Sequence, residues 1–444
     1  MKSSGLMCSV LIGAALVPHL ASATEFNYTL YSGILHSDNI DLSPVQPTSQ
    51  NVFIPGLSFT LSQLGSTVQA SVIGNLEYRD YLGRAFSNQT FTQAAGVVNW
   101  TLSPHRLDLN LADYAGVEPV ASLAADTPAN QQQTNVFVLG PTLHFRLGQV
   151  TSAQATLHYI NTYAQKTPEF NSSRGDAELQ LTQALSPTTQ ISANVSSQRV
   201  HFTNATGGPD YTDNAIYARY TNRLKQFDLD AIAGWSRLTF NGGAPSATDP
   251  LVRLTASYRP TVQSQLALTL QNLLTDAAQS MIIPADQIGN EIAATDSPVS
   301  AIGTMPGIAT GSAVINSQTF LQRSVVGTYS YSAGRVTLSV SPYYSKFIYQ
   351  NDATLNLTGP GISAGLAYRL RPLLTLSAYA NGERLDYTNL QRRDMALNYG
   401  LSLVGRRTPN WSWSISIDHR QRSSTAAGQD YRENEIYFGL MFRR

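Results

Sequence analysis

Along most of the chain, apolar and polar residues alternate with a period of two. Between Thr67 and Tyr78, one set is Val68, Ala70, Val72, Gly74, Leu76 and Tyr78. The opposite set is Thr67, Gln69, Ser71, Asn75 and Glu77, with Ile73 as its exception. The same split recurs in Asp176 to Thr182, where Ala177, Leu179 and Leu181 oppose Asp176, Glu178, Gln180 and Thr182. It returns in Gln190 to Ser196, Arg253 to Tyr258, Gln265 to Gln271 and Leu374 to Asn381, and in Trp411, Trp413, Ile415 and Ile417 against the intervening serines. Successive strand side chains point to opposite faces, so each segment predicts a strand with one apolar and one polar side.

A soluble sandwich hides the apolar face inside; a membrane barrel turns it to lipid and keeps the polar face in a wet lumen. The connections favour the barrel. Nine short joints, such as Leu64-Gly65-Ser66, Ser103-Pro104-His105, Arg259-Pro260-Thr261 and Thr408-Pro409-Asn410, alternate strictly with ten longer polar connections. The expected fold is therefore all-β: a transmembrane antiparallel outer-membrane β-barrel of about 20 strands, with short periplasmic turns, long extracellular loops and both termini on the periplasmic side. Trp100, Tyr258, Tyr368, Trp411 and Trp413 fall near the short turns and predict a periplasmic aromatic girdle.

The first residues form an export signal: Lys2, an apolar run from Leu6 to Val17, and Ala21-Ser22-Ala23 as the cleavage site. Residues 1–23 are expected to leave and 24–444 to form the barrel. The single cysteine, Cys8, lies in that signal, so the mature protein has no disulfide. This fits the outer membrane of a Gram-negative cell better than a small secreted scaffold.

Composition agrees. Charged residues make up 13% of the 444-residue chain, about half the share of an average soluble protein. Lys+Arg and Asp+Glu are 29 each, a balance that argues against nucleic-acid binding. A mean hydropathy of -0.14 is too polar for a bundle of transmembrane helices.

Two short passages carry a resemblance. Ser37-Asp38-Asn39-Ile40 ends the first strand, and Ile54-Pro55-Gly56-Leu57-Ser58 opens the second. With the closing Asp430-Tyr431-Arg432-Glu433-Asn434 before an alternating strand, the chain resembles the β-barrel porin 2 group. That group includes outer-membrane proteins associated with exopolysaccharide and exosortase loci. The resemblance implies a passive barrel assisting exopolysaccharide export. Its implied partners are outer-membrane lipid, the barrel-assembly machinery, polysaccharide-export machinery and the glycan. Gly439-Leu440-Met441-Phe442 looks like the terminal signal read by the insertion machinery, although the chain ends Arg443-Arg444. A general or sugar-selective diffusion porin, and a structural or adhesive surface barrel, are the alternatives.

The candidate lumen residues are Glu77, Arg79, Asp108, Arg174, Asp176, Glu178, Arg219, Arg253, Arg369 and Glu383, set among Gln, Ser, Thr and Asn. Such a wall suits a hydrated, hydroxyl-rich solute. Twenty strands leave a wide pore, so a constriction is expected in Thr275 to Asn316. This segment carries Asp276, Asp286, Glu291 and Asp296 without Lys or Arg, and its acids are expected near inward arginines such as Arg253. The mature histidines His36, His105, His144, His158, His201 and His419 suggest no triad, so no enzyme, metal or cofactor is expected. Asp38, Asn39 and Asp41 read as a turn rich in Asx residues.

Overall fold

The computed structural model describes residues 24–204, 207–243, 245–282 and 314–444. The signal segment 1–23 lies outside the described residues, as do Asp286, Glu291 and Asp296.

Twenty antiparallel strands form one sheet. In chain order they are β1 (Thr24–Ser37), β2 (Gln50–Leu64), β3 (Val68–Tyr81), β4 (Gln89–Ser103), β5 (Leu107–Pro119), β6 (Gln131–Arg146) and β7 (Thr151–Ala164). Next come β8 (Ser172–Ser186), β9 (Thr189–Phe202), β10 (Tyr211–Arg223), β11 (Phe227–Phe240), β12 (Ala247–Tyr258) and β13 (Ser264–Asp276). The last are β14 (Thr319–Ala333), β15 (Val336–Tyr349), β16 (Leu357–Arg371), β17 (Leu374–Tyr387), β18 (Arg392–Arg406), β19 (Trp411–Ser424) and β20 (Tyr431–Arg443). One short helix, α1 (Ala277–Met281), follows β13. No helix among the described residues is long and apolar enough to cross a membrane.

Each strand pairs with its chain neighbours, and β1 pairs with β20 to close the barrel. Closure gives every strand a partner on both sides over at least part of its length. The turns at Pro104, Pro187, Pro260, Pro372 and Pro409 share one end with both ends of the strand set. Arg444 O accepts from Tyr28 N at 2.9 Å there. At the same end, the two-residue turn between β14 and β15 is built on Gly334 at φ 57°, a conformation that costs a residue with a side chain more.

The exterior is apolar. Leu179, Leu268, Leu376 and Ile415 are exposed on it, while Gln180, Gln271, Ser377 and Ser414 take the opposite face. Trp100, Tyr258, Tyr368 and Trp411 are exposed near the short turns, and Tyr163, Trp235 and Tyr344 near the other end. A closed strand wall with an apolar belt between aromatic rims is an outer-membrane β-barrel.

The wall is not uniformly paired. β12 and β13 are in register only from Tyr258↔Leu266 to Val252↔Asn272. Above that, residues 247–251 keep only their β11 partners, and residues 273–276 only their β14 partners. At the outer end the sheet splits.

Candidate functional site: a lumen crossed at its outer mouth

Beyond the split, the outer end of β13 and β14 leans into the barrel. By alternation, Leu274 and Leu321 belong to the same faces as the exterior Leu268 and Val325. Both are nonetheless buried, against the inward residues Val200, Phe202, Tyr211, Leu238 and Phe240 of β9 to β11. This inward tuck turns Asp276 toward the lumen.

Asp276 anchors the tuck. Arg174 on β8 donates to it through Nη1 at 2.6 Å, and both side chains are almost fully buried. The Tyr211 hydroxyl donates to the same carboxylate oxygen. The other oxygen accepts from Gln279 N at 2.9 Å and so caps α1, satisfying one of the helix's free N–H groups. Arg174 is itself held by Ser172 Oγ at 3.1 Å. The inward arginine that Asp276 meets is Arg174, while Arg253 lines a cavity with it and does not pair with it. The inward tilt carries Asp276 to β8, and no ion pair involving Arg253 occurs among the described residues.

Helix α1 then rests on an apolar patch inside the lumen. Ala277, Ala278 and Met281 pack with Ile73, Ala95, Tyr114, Val136, Val138 and Ile160, inward residues of β3 to β7. The sequence exception Ile73 belongs to this seat. The returning limb is tied down as well: Ile315 joins the same cluster, and Ser317 Oγ accepts from Gly208 N at 2.7 Å. The segment on both sides of residues 283–313 thus lies inside the outer mouth.

Two cavities flank α1. One, of about 320 Å³, is lined by Asp176, Glu178, Gln198, Tyr211, Asp213, Tyr217, Arg253, Asp276 and Gln279. The other, of about 340 Å³, shares Asp176, Gln198 and Gln279 and reaches Tyr114, His158 and Ile160.

The remaining lumen candidates are distributed around the wall. Glu178 accepts from the Tyr217 hydroxyl at 2.5 Å. Arg219 forms a two-bond fork with Asp230, at 2.9 and 2.5 Å. Asp108 pairs with His144 at 3.0 Å near the periplasmic end. Glu383 lies beside Tyr343, and Arg369 sits at a register irregularity near the Pro372 turn. Glu77 and Arg79 pair at 2.6 Å, and the Tyr31 hydroxyl donates to Glu77 at 3.2 Å.

A second charged group was not picked out from the sequence. Arg420 reaches Glu433 at 3.0 Å and Glu435 at 2.7 Å, and the Tyr379 hydroxyl donates to Asp418 at 2.7 Å. Strand parity was the available signal: Glu433 and Glu435 alternate with the exterior Ile436 and Phe438. Asp38 holds Asn434 through N at 2.7 Å and Nδ2 at 2.6 Å. Asp41 holds Thr48, its Oδ1 accepting from Thr48 N at 3.0 Å. The Asx-rich turn thus latches β1 to β20. No group of three or more potential metal ligands occurs among the described residues.

Residues 314–443 match the family described as surface lipoprotein assembly modifier. The match spans β14 to β20 and leaves the first thirteen strands outside it. No curated protein matches the chain. Among solved structures, a double mutant of the ferric enterobactin receptor PfeA from Pseudomonas aeruginosa aligns at 11% identity and TM-score 0.47, over 95% of this chain and 81% of that one. A variant of the FrpB iron transporter from Neisseria meningitidis aligns at 10% identity and TM-score 0.45, over 94% and 82%.

Proposed function

We propose that this chain is an outer-membrane conduit for a hydroxyl-rich solute, an exopolysaccharide in transit, whose outer mouth is narrowed by its own β13–β14 segment. The observation that carries this reading is the tuck itself. A buried Arg174–Asp276 pair and an apolar seat hold α1 across the lumen, an arrangement a merely structural barrel has no need for. The polar wall of Gln, Ser, Thr and paired charges supports passage of a hydrated solute, because it offers many weak and exchangeable hydrogen bonds.

Conductance in planar bilayers tests it. The double variant Arg174→Met with Asp276→Asn should conduct more than the wild type and admit bulkier solutes, with strand content unchanged. Equal conductance in the two proteins would overturn the conduit reading.

The match over residues 314–443 favours a second reading, assembly of lipoproteins at the cell surface. Under it, deleting the chain would deplete surface-exposed lipoprotein and leave extracellular polysaccharide at its normal level. The conduit reading expects the opposite pattern.

A further inference from the structure

We propose that the cavity beside α1 is a binding site for one sugar unit that carries no negative charge, with an amino sugar bound best. The proposal deepens the conduit reading and rests on it for the ligand's route, while the site itself stands on its own geometry.

Strand register builds the site. Asp176 on β8 is the cross-strand partner of Gln198 on β9, and Gln198 is the partner of Asp213 on β10. All three face the cavity. Neighbouring strands lie about 4.7–4.9 Å apart, so the row presents carboxylate, amide and carboxylate at regular intervals. A ring with hydroxyls around its rim both donates and accepts, and such a row matches it.

Gln198 marks the row as a ligand site. It is only 8% exposed, lines both cavities and makes no side-chain hydrogen bond among the described residues. Its amide is left open to the cavity, where it can both donate to and accept from an occupant. The Gln279 amide, on α1, faces the same cavities with no side-chain partner among the described residues. Two amides, one on the wall and one on α1, therefore line one space.

Size and charge restrict the occupant. A volume of about 320 Å³ lies at the low end of small-molecule pockets, which run to about 1,000 Å³. Among the described residues, Asp176, Glu178, Asp213 and Asp276 line it with Arg253 as the one lining cation, and Asp176 also lies 3.6 Å from His158 Nδ1 of the adjoining cavity. Asp276 is already neutralised by Arg174. An acidic sugar would meet like charges here, whereas an ammonium group would meet Asp176 and Asp213 on either side of Gln198.

Calorimetry on the detergent-solubilised, full-length barrel tests this with trimers of glucosamine, glucose and glucuronate. Glucosamine trimers should bind most tightly, glucose trimers more weakly, and glucuronate trimers not at all. Gln198→Ala and Gln279→Ala should each lower glucosamine affinity about tenfold, while Ser377→Ala, on a distant part of the wall, leaves it unchanged. Heat-modified migration on gels confirms that each variant is folded. Glucuronate binding as tight as glucosamine, or full affinity in both glutamine variants, would overturn the site. Because binding is read without conductance, its failure is separable from that of the conduit reading.

Discussion

Of the strand pairs joined over a shortened stretch, β4–β5 among them, two are open at opposite ends. β1 and β20 pair from Thr29↔Arg443 to Ser37↔Glu435, so the unpaired part of β1 is periplasmic. β12 and β13 pair from Tyr258↔Leu266 to Val252↔Asn272, so theirs is extracellular. The first seam is locked at its outer end. Ser37 Oγ donates to Glu433 at 2.5 Å, Asn39 Nδ2 donates to Arg432 O at 2.8 Å, and Asp38 grips Asn434. Gly33 and Gly439 face each other across it, and the Tyr437 ring occupies the space that side chains there would take. Among the described residues the second seam is bridged by a side chain only at the lip of the split, where Asn272 Nδ2 donates to Pro250 O. It is stabilised instead by what one lip does after parting: Leu274 and Leu321 bury themselves inside the wall, and Asp276 finds Arg174. One shortened seam completes the circle; the other releases a hairpin into the lumen.

The largest expected effect separates the two. Arg174→Ala leaves a buried carboxylate without its cation, a loss that typically costs about 3–5 kcal/mol. Hydrogen exchange should accelerate across residues 272–281, with no change at β1 and β20. Equal acceleration at both seams would mean that Arg174 supports the whole barrel and not the tuck.

A lipid-facing charge should come next. Leu268 and Gln271 lie on the same strand below the split, on opposite faces. Leu268→Arg should cost about 2–4 kcal/mol in folding titrations from urea into lipid, and Gln271→Arg far less. Similar costs would mean that β13 is already twisted at that depth.

At the closing seam, Gly439→Val should cost about 1–3 kcal/mol, because a Cβ there meets the Tyr437 ring at 2.6 Å. The loss should show in thermal unfolding while conductance stays at the wild-type level.

Much of this architecture is legible in the chain. The period of two gives the strands, and alternating joint lengths give their number and the side of the termini, because both are local signals. The tuck is not local. Arg174 and Asp276 are 102 residues apart, and only the inward tilt of β13 brings them together, against the parity that places residues lower on the same strand. Ile73 left a visible trace as an apolar residue in a polar set. Ala95 left none, since alanine fits either face. Glu433 and Glu435 were legible by parity beside Ile436 and Phe438. Gln198 was not, because an unpartnered glutamine looks the same in sequence as a solvated one.

The smallest expected effect probes the lip of the split itself. Asn272 is the last β13 residue in register with β12. Its Nδ2 donates to Pro250 O at 2.5 Å, and its Oδ1 accepts from Arg323 Nε at 2.9 Å. Pro250 has no N–H to give to the ladder, so this side-chain bond takes the place of a backbone bond and marks where pairing stops. Asn272→Ala removes both bonds at a half-exposed site, where each is worth about 0.5–1.5 kcal/mol. The split should then lengthen downward. Exchange should quicken at residues 252–254 and 270–272 while the Arg174–Asp276 anchor keeps α1 in place, so conductance should not change. If conductance rises in this variant, the lip and the tuck open as one unit, and the anchor at Asp276 does not hold the segment alone.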